Sequence, residues 1–253
     1  MQVIKIGGRP QSDPAFPEAL ARAWRDSACQ IVLVHGGGDE VSSLQAALGA
    51  APTFVDGRRV TSARDAEIVR LGLSGSANKR LASALLDAGV PALGISGEDA
   101  ALITAVPLDA ARLGHVGTPH RINVDLLRHL IGGGYLPVIS PVSRNAAAAP
   151  ANAELGRTLN VNGDDAASAI AVALAASELL LVADVPGVMS DGALVSRVDV
   201  RGARRMLADG TAAGGMRAKL QAALAALEGG VERVRIGAIG AIGHPERGTT
   251  LLR

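Results

Sequence analysis

Short runs in which nearly every position is apolar recur along this chain, separated by longer stretches with an apolar residue every third or fourth position. The first kind reads as buried strand and the second as amphipathic helix. Strands are predicted at residues 2–6, 30–34, 92–95, 101–105, 136–140, 179–183 and 232–236. Helices are predicted at 17–26, 39–48, 63–73, 76–88, 124–132, 164–176, 200–208 and 215–228. Near-continuous apolar strands are those covered by helices on both faces, and their alternation with helices predicts an α/β fold around a mainly parallel sheet. Two of these strands stop in glycine: Val3-Ile4-Lys5-Ile6 runs into Gly7-Gly8, and Ile31-Val32-Leu33-Val34 into His35-Gly36-Gly37-Gly38. A glycine turn between a strand and a helix lets backbone N–H groups face an anion, and Lys5 adds a cation to the first. Thr61, Ser62 and Asp65 form a cap region for the helix at 63–73. The stretch 145–156 has no clear period and reads as a loop or hinge between two halves.

Composition narrows the picture. The chain has 253 residues, with 25 basic and 24 acidic side chains and a formal net charge of +1. That balance offers no basic face for nucleic acid, and aromatics at 2% offer no stacking platform for single strands. The single cysteine, Cys29, excludes an internal disulfide and reads as a buried small hydrophobe. No apolar run reaches the roughly 18 residues of a membrane span. The first residues already read as strand, so no signal peptide is expected and a cytoplasmic protein is.

Several familiar chemistries are missing. There is no G-x-x-x-x-G-K-[ST] phosphate loop, no G-x-G-x-x-G turn and no G-x-S-x-G elbow. The histidines at 35, 115, 120, 129 and 244 lack metal-ligand spacing and read as structural or solvated. Four other segments stand out. Gly57-Arg58-Arg59-Val60-Thr61 sets guanidinium groups beside a helix start, where an arginine fork can clamp a carboxylate. Asn160-Val161-Asn162-Gly163-Asp164-Asp165 opens an alanine-rich helix and by itself is a capping sequence. Asp184-Val185-Pro186-Gly187-Val188-Met189 follows a strand, at the end where open α/β sheets bind ligands. Gly214-Gly215-Met216-Arg217-Ala218-Lys219 opens the last long helix. It sets Lys219 on the first turn, where a cation opposes the helix dipole and is better explained by a ligand than by solvent.

In this order, with GSANKRL at 75–81, GISGEDAALI at 94–103, GHVG at 114–117 and LPVISP at 136–141, these segments resemble the amino-acid kinase family over essentially the whole chain. The resemblance implies a three-layer αβα sandwich forming a single domain over 1–253. Its N-terminal lobe, about 1–157, would bind an acylated amino acid and dimerise, and its C-terminal lobe, about 158–253, would bind ATP. It implies ATP-dependent phosphorylation of the side-chain carboxylate of N-acetyl-L-glutamate, a step of arginine biosynthesis, by a cytoplasmic homodimer. Mg2+ would arrive on the nucleotide, and no protein ligand for it is named. Carried over by position, Lys5 and Lys219 stabilise the transferring phosphoryl group and Asp164 organises both. Gly37, Gly38, Arg59 and Asn160 bind the acyl amino acid, and Gly7, Gly8 and Gly36 lie at the phosphates. Asp184 to Met189 (Asp184, Val185, Pro186, Gly187, Val188 and Met189), with Thr211, Ala212, Ala213 and Met216, form the nucleotide site.

The chemistry of the residues agrees. A carboxylate nucleophile with a pKa of about 4.3 is ionised at neutral pH and needs no general base, so positioning and charge neutralisation carry the reaction. Arg9, Arg58 and Arg217 stand where the family has small or apolar residues, Ala183 where it has a hydroxyl residue, and Gly163 where it has alanine. An Arg9 facing the site would favour a more anionic substrate such as an N-succinylated amino acid. Two further activities compete with these: phosphorylation of carrier-linked aminoadipate, and non-catalytic sensing of an amino acid or nucleotide. Family members inhibited by arginine carry an additional N-terminal helix that builds a hexamer. Because the chain begins at its first strand, a dimer without arginine feedback is expected.

Overall fold

In the computed structural model, described over residues 1–28, 30–55, 57–147, 156–190 and 192–253, strands and helices alternate as the pattern predicts. Their order begins β1 (Gln2–Ile6), α1 (Ala15–Asp26), β2 (Ile31–His35), α2 (Gly38–Ala47), β3 (Phe54–Val55), β4 (Arg58–Arg59), α3 (Ala63–Arg70), α4 (Asn78–Asp87) and β5 (Ala92–Gly97). It continues with β6 (Ile103–Pro107), α5 (Ala110–Leu113), β7 (Val116–Ile122), α6 (Val124–Gly132), β8 (Leu136–Asn145), β9 (Thr158–Val161), α7 (Gly163–Ala173) and β10 (Glu178–Val182). The chain closes with β11 (Met189–Ser190), β12 (Ala193–Leu194), β13 (Arg197–Asp199), α8 (Val200–Ala208), α9 (Gly214–Glu228), β14 (Arg233–Gly237) and β15 (Thr249–Leu252). One 11-stranded sheet runs β13-β15-β14-β10-β1-β2-β8-β6-β7-β9, with β5 also on β8. Its centre, from β5 through β8, β2, β1 and β10 to β14, is parallel throughout. Antiparallel pairs occur at β14–β15, β6–β7 and β8–β9. No helix of the described residues is long and apolar enough to cross a membrane.

Strand parity builds the three layers. Val3, Val32, Val34, Leu179 and Leu181 point to one face, where they pack with Ala167 and Ile170 of α7 and Leu220 and Leu227 of α9. Ile4, Ile6, Ile31, Leu33, Leu180 and Val182 point to the other, against Phe16, Leu20 and Trp24 of α1 and Leu81 and Leu85 of α4. Side chains alternate across a strand, so Lys5 shares the face of Val3 and therefore meets α7 and α9.

Three expectations are corrected. The helices read at 63–73 and 76–88 are one continuous run, because α3 and α4 are joined through a π-helical segment, Leu71–Ala77, rather than broken at Ser74 and Gly75. Gly72 is there for contact: a Cβ on it would stand 3.2 Å from Val41. The strand read at 136–140 does not stop at Pro141 but continues to Asn145. Its first half serves the central sheet and its second half pairs with β6 and β9, so the proline falls at the bend between them. The strand read at 101–105 starts at Ile103. Cys29, and residues 148–155 of the stretch read as a hinge, lie outside the described residues.

Candidate functional site

Parallel neighbours leave β1 in opposite directions, β2 on one side and β10 on the other, and the crevice beyond their carboxyl ends is where such sheets bind ligands. Gly7-Gly8, Gly36-Gly37-Gly38 and Ala183-Asp184 all follow these ends. Gly8 has φ 63° and ψ −148°, a region open essentially to glycine alone. Gly37 has φ 155°, and a Cβ on it would stand 2.7 Å from Leu73. The two turns are joined: the Gly36 N–H donates to the Ile6 carbonyl at 2.8 Å, so that amide holds the turns together instead of facing a ligand.

Three charged side chains converge here from three elements. Asp164 sits in the first turn of α7, which Asn162 caps by accepting from the Asp164 N–H at 2.8 Å. Lys5 Nζ lies 2.9 Å from one Asp164 carboxylate oxygen and Lys219 Nζ donates to both at 3.3 Å. All three are nearly closed to solvent, with side-chain exposures of 9%, 6% and 12% for Lys5, Asp164 and Lys219. Burial works to raise the Asp164 pKa, but the two ammonium groups outweigh it and hold the carboxyl below its usual range. Burial, then the charge of Lys5, pushes Lys219 down to about 8, with Asp164 opposing. Lys219 is the sixth residue of α9, since the helix begins at Gly214, and so lies on the second turn rather than the first. Helical side chains lean toward the N-terminus, which carries its ammonium back to the site.

A cavity of about 350 Å3 opens from these lysines along Gly8, Asp184, Val185 and Met216. Asp184 and Val185 therefore face it together with Met216. Gly187 and Val188 turn away: a Cβ on Gly187 would collide with Thr249, and the Val188 N–H donates to the Thr249 hydroxyl at 2.8 Å. Pro186 continues that turn and Met189 begins the small β11–β12 hairpin. Thr211 is exposed, Ala212 is buried in the core, and Ala213 is the N-cap of α9. Arg9 is almost fully exposed and stands 3.6 Å from Asp184, on this same side.

A second cavity, of about 180 Å3, lies on the other side of the glycine turns, lined by Gly36, Gly37, Gly38, Arg59, Asn160 and Gly163 among others. The cavities approach each other where Gly7 meets Gly36 and where Gly163 leaves Lys5 room; a Cβ on Gly163 would stand 3.2 Å from Lys5 Cε. Arg59 is buried and held from several sides. It donates to Gln45 Oε1, to Ser42 Oγ at 2.9 Å and to the Gly38 carbonyl at 3.0 Å, and it stacks 4.9 Å from the Phe54 ring. Gln45 is oriented by donating to Asp65 at 2.7 Å, and Asp65 completes the capping box with Ser62 that starts α3. Asn160 donates to the Thr61 hydroxyl at 3.1 Å. Helices α2 and α9, which begin at these two cavities, have no side-chain cap. Uncapped first-turn N–H groups suit anions.

Sequence reasoning found the support beneath this site only in part. His35, read as structural or solvated, is fully buried and pushed down to about 4 by burial. It is therefore neutral at pH 7. Its Nδ1 lies 2.7 Å from the Gly36 carbonyl and its Nε2 accepts from Asn78 at 3.0 Å, an arrangement that fixes the second glycine turn. Asn78 also donates to the Val138 carbonyl at 2.8 Å. The run His35-Gly36-Gly37-Gly38 was a usable signal for His35 and GSANKRL at 75–81 for Asn78; Gln45 and Ser42 carried none.

The chain belongs to the amino acid kinase family, whose model matches residues 1–238. Within it, the chain is 42% identical to the acetylglutamate kinase of Geobacillus stearothermophilus over 236 residues, 92% of this chain and 88% of that one. It is 41% identical to the acetylglutamate kinase of Chloroflexus aurantiacus over 93% of this chain and 91% of that one. Among solved structures, N-acetylglutamate synthase of Neisseria gonorrhoeae, complexed with coenzyme A and N-acetyl-glutamate, superposes with a TM-score of 0.81 at 26% identity, over all of this chain and 59% of that one. Carbamate kinase of Giardia lamblia bound to AMP-PNP superposes at 0.74 with 15% identity, over all of this chain and 98% of that one, a likeness of fold.

Proposed function

We propose that this protein transfers the γ-phosphoryl group of ATP to the side-chain carboxylate of N-acetyl-L-glutamate, giving an acyl phosphate in arginine biosynthesis. The observation that carries the reading is the Lys5–Asp164–Lys219 cluster set between two cavities. The cavity beside Arg59 and Asn160 takes the acyl amino acid, with the positive charge of Arg59 beside its α-carboxylate. The cavity beside Asp184, Val185 and Met216 takes the nucleotide, with Gly7 and Gly8 at its phosphates. The N-terminal lobe, about 1–157, and the C-terminal lobe, about 158–253, divide these tasks.

One carboxylate oxygen attacks the γ-phosphorus, the bond to the β,γ-bridging oxygen breaks, and ADP leaves with that electron pair. The nucleophile is already an anion, so no proton need be removed. The obstacle is repulsion between an anion and a polyanion. Two ammonium groups and one carboxylate leave the cluster a net charge of +1 to offset it, in a site largely closed to water. Asp164 opposes the loss of the Lys219 proton and aims both lysines. Mg2+ arrives on the ATP phosphates, as an ion that keeps most of its water and takes few protein ligands.

Arg9, paired with Asp184 on the nucleotide side, lends no support to a more anionic acyl substrate. The protein works as a cytoplasmic homodimer. The β5 edge supports a dimer, since among the described residues β5 pairs with β8 alone, and Leu86 of α4 and Leu93 of β5 are exposed. Incubation with Mg-ATP and N-acetyl-L-glutamate, trapping product with hydroxylamine, should give the hydroxamate. No hydroxamate from this substrate, with turnover on another acylated amino acid or on none, overturns the reading.

A further inference from the structure

The Arg58 side chain stands between two spaces. It lines the 180 Å3 cavity beside Arg59, and it lines a separate cavity of about 620 Å3 bounded by β7, α7 and α9. Among the described residues it is the one that lines both. Its guanidinium is held on the far side by Asp165, with Nη1 2.8 Å from the carboxylate and both side chains mostly buried. The two partners are neighbours in sequence of Arg59 and Asp164, so the pair ties the β3–β4 hairpin to the first turn of α7. The larger cavity carries Ser168, Gln221 and Val172 as well, and the phosphoryl-transfer chemistry described above uses none of them.

We propose that Arg58, held by Asp165, is the partition that closes the acyl end of the substrate pocket and sets the length of N-acyl group the enzyme accepts. This rests on the reading that the pocket takes an N-acylated glutamate. A guanidinium anchored by an ion pair is a wall that an acetyl group can meet. A longer acyl chain can pass it only by displacing Arg58 from Asp165, which leaves two partly buried charges without each other. With the side chain gone, the substrate pocket runs on into the larger cavity, whose Val172, Ala222 and Ala225 offer an apolar lining for a longer chain. Arg58 is thus a specificity-determining residue, and Asp165 acts through it as a positioning residue.

The test measures kcat/KM for N-acetyl-, N-propionyl-, N-butyryl- and N-hexanoyl-L-glutamate in wild type, Arg58→Ala, Arg58→Met and Asp165→Asn. The readout is the ratio of each substrate to N-acetyl-L-glutamate, so a general loss of activity cancels. In wild type the ratio should fall by about tenfold or more for each added methylene, the range a closed apolar pocket commands. Arg58→Ala should raise the butyryl-to-acetyl ratio by about tenfold or more. Asp165→Asn should move it in the same direction by less, and Arg58→Met, which keeps length without charge, should fall between. If Arg58→Ala does not fold, the other two variants decide. A wild type indifferent to chain length, or ratios in the folded variants matching wild type, overturns the inference while N-acetyl-L-glutamate kinase activity stands. A wild type inactive on every N-acylglutamate overturns the functional reading, and the inference with it.

Discussion

At the start of β1 and β10, Glu178 is gripped by Arg235, Arg233 and Gln2; at the far ends of the same strands, Asp164 is gripped by Lys5 and Lys219. Both are buried carboxylates among two cations, and both are held below the usual carboxyl range, by cations that outweigh burial. They differ in what the cations do next. Arg235 spends its fork completely: Nε and Nη2 go to Glu178, and Nη1 donates to the carbonyls of Ala241, His244 and Arg247, fastening the turn before β15. The lysines share a single carboxylate beside an open cavity, and one of them is pushed down to about 8. A guanidinium with all three nitrogens engaged inside the fold, as in Arg235, is structure. A pair of crowded ammonium groups beside a cavity would gain from another anion, which is what the proposed phosphoryl transfer asks of it.

This contrast can be broken by mutation. Removing one partner of a buried pair leaves an uncompensated charge, so Glu178→Ala should cost about 3–5 kcal/mol of unfolding free energy in a denaturant titration. Activity per folded molecule should be kept; an unchanged unfolding midpoint would refute the structural role. Lys219→Ala should do the reverse, lowering kcat by about 10²–10³-fold while the unfolding transition stays close to wild type. Turnover near the wild-type rate in that variant would remove Lys219 from the chemistry.

Smaller effects sharpen the same comparison. Lys219, at about 8 in the folded protein against 10.5 for the free group, holds its proton less tightly than the unfolded chain does. The penalty for burying its charge is therefore fully present below about pH 8 and is relieved as pH climbs toward 10.5, so this group makes stability rise with pH across that window. The rate should move oppositely. The kcat/KM for ATP should fall above about pH 8, approaching tenfold per unit, and Lys219→Arg should push that limb to higher pH even at a reduced rate. A profile flat to pH 10 in wild type would contradict the assignment. The smallest change is expected at Arg233, whose side chain is 44% exposed. With Arg235 still in place, Arg233→Ala should cost no more than about 1 kcal/mol in the same titration.

Much of the fold was legible because its strands are buried on both sides and so announce themselves as apolar runs. β1 and α6 fall where the pattern puts them, and α8 matches to the residue. Besides the short hairpin strands and β13 and β15, two strands of another kind escaped. β7 (VGTPHRI) contains Pro119 and two basic residues, and β9 (TLNV) is four residues long. Both belong to the extension of the sheet beyond Pro141, where pairing partners rather than burial decide the conformation. The break read at residues 74–75 failed because the chain stays helical there in a π-helical segment, tied to β8 where the Ser74 hydroxyl meets that of Ser140 at 2.7 Å.

The sequence by itself determined the three layers, the placing of both glycine turns at strand ends, and the face on which Lys5 stands, since parity along a strand is local geometry. It marked Lys5, Asp164, Lys219 and Arg59 as chemistry-bearing through their motifs. Only the tertiary structure decided that Lys5 and Lys219, more than two hundred positions apart, share one carboxylate. Only it placed Gln45 and Ser42 on Arg59, set Asn78 beneath His35, and put Arg58 between two cavities opposite Asp165. A side chain's partner across a sheet or between helices depends on how distant elements pack, and burial and electrostatic coupling follow from that packing rather than from neighbours along the chain.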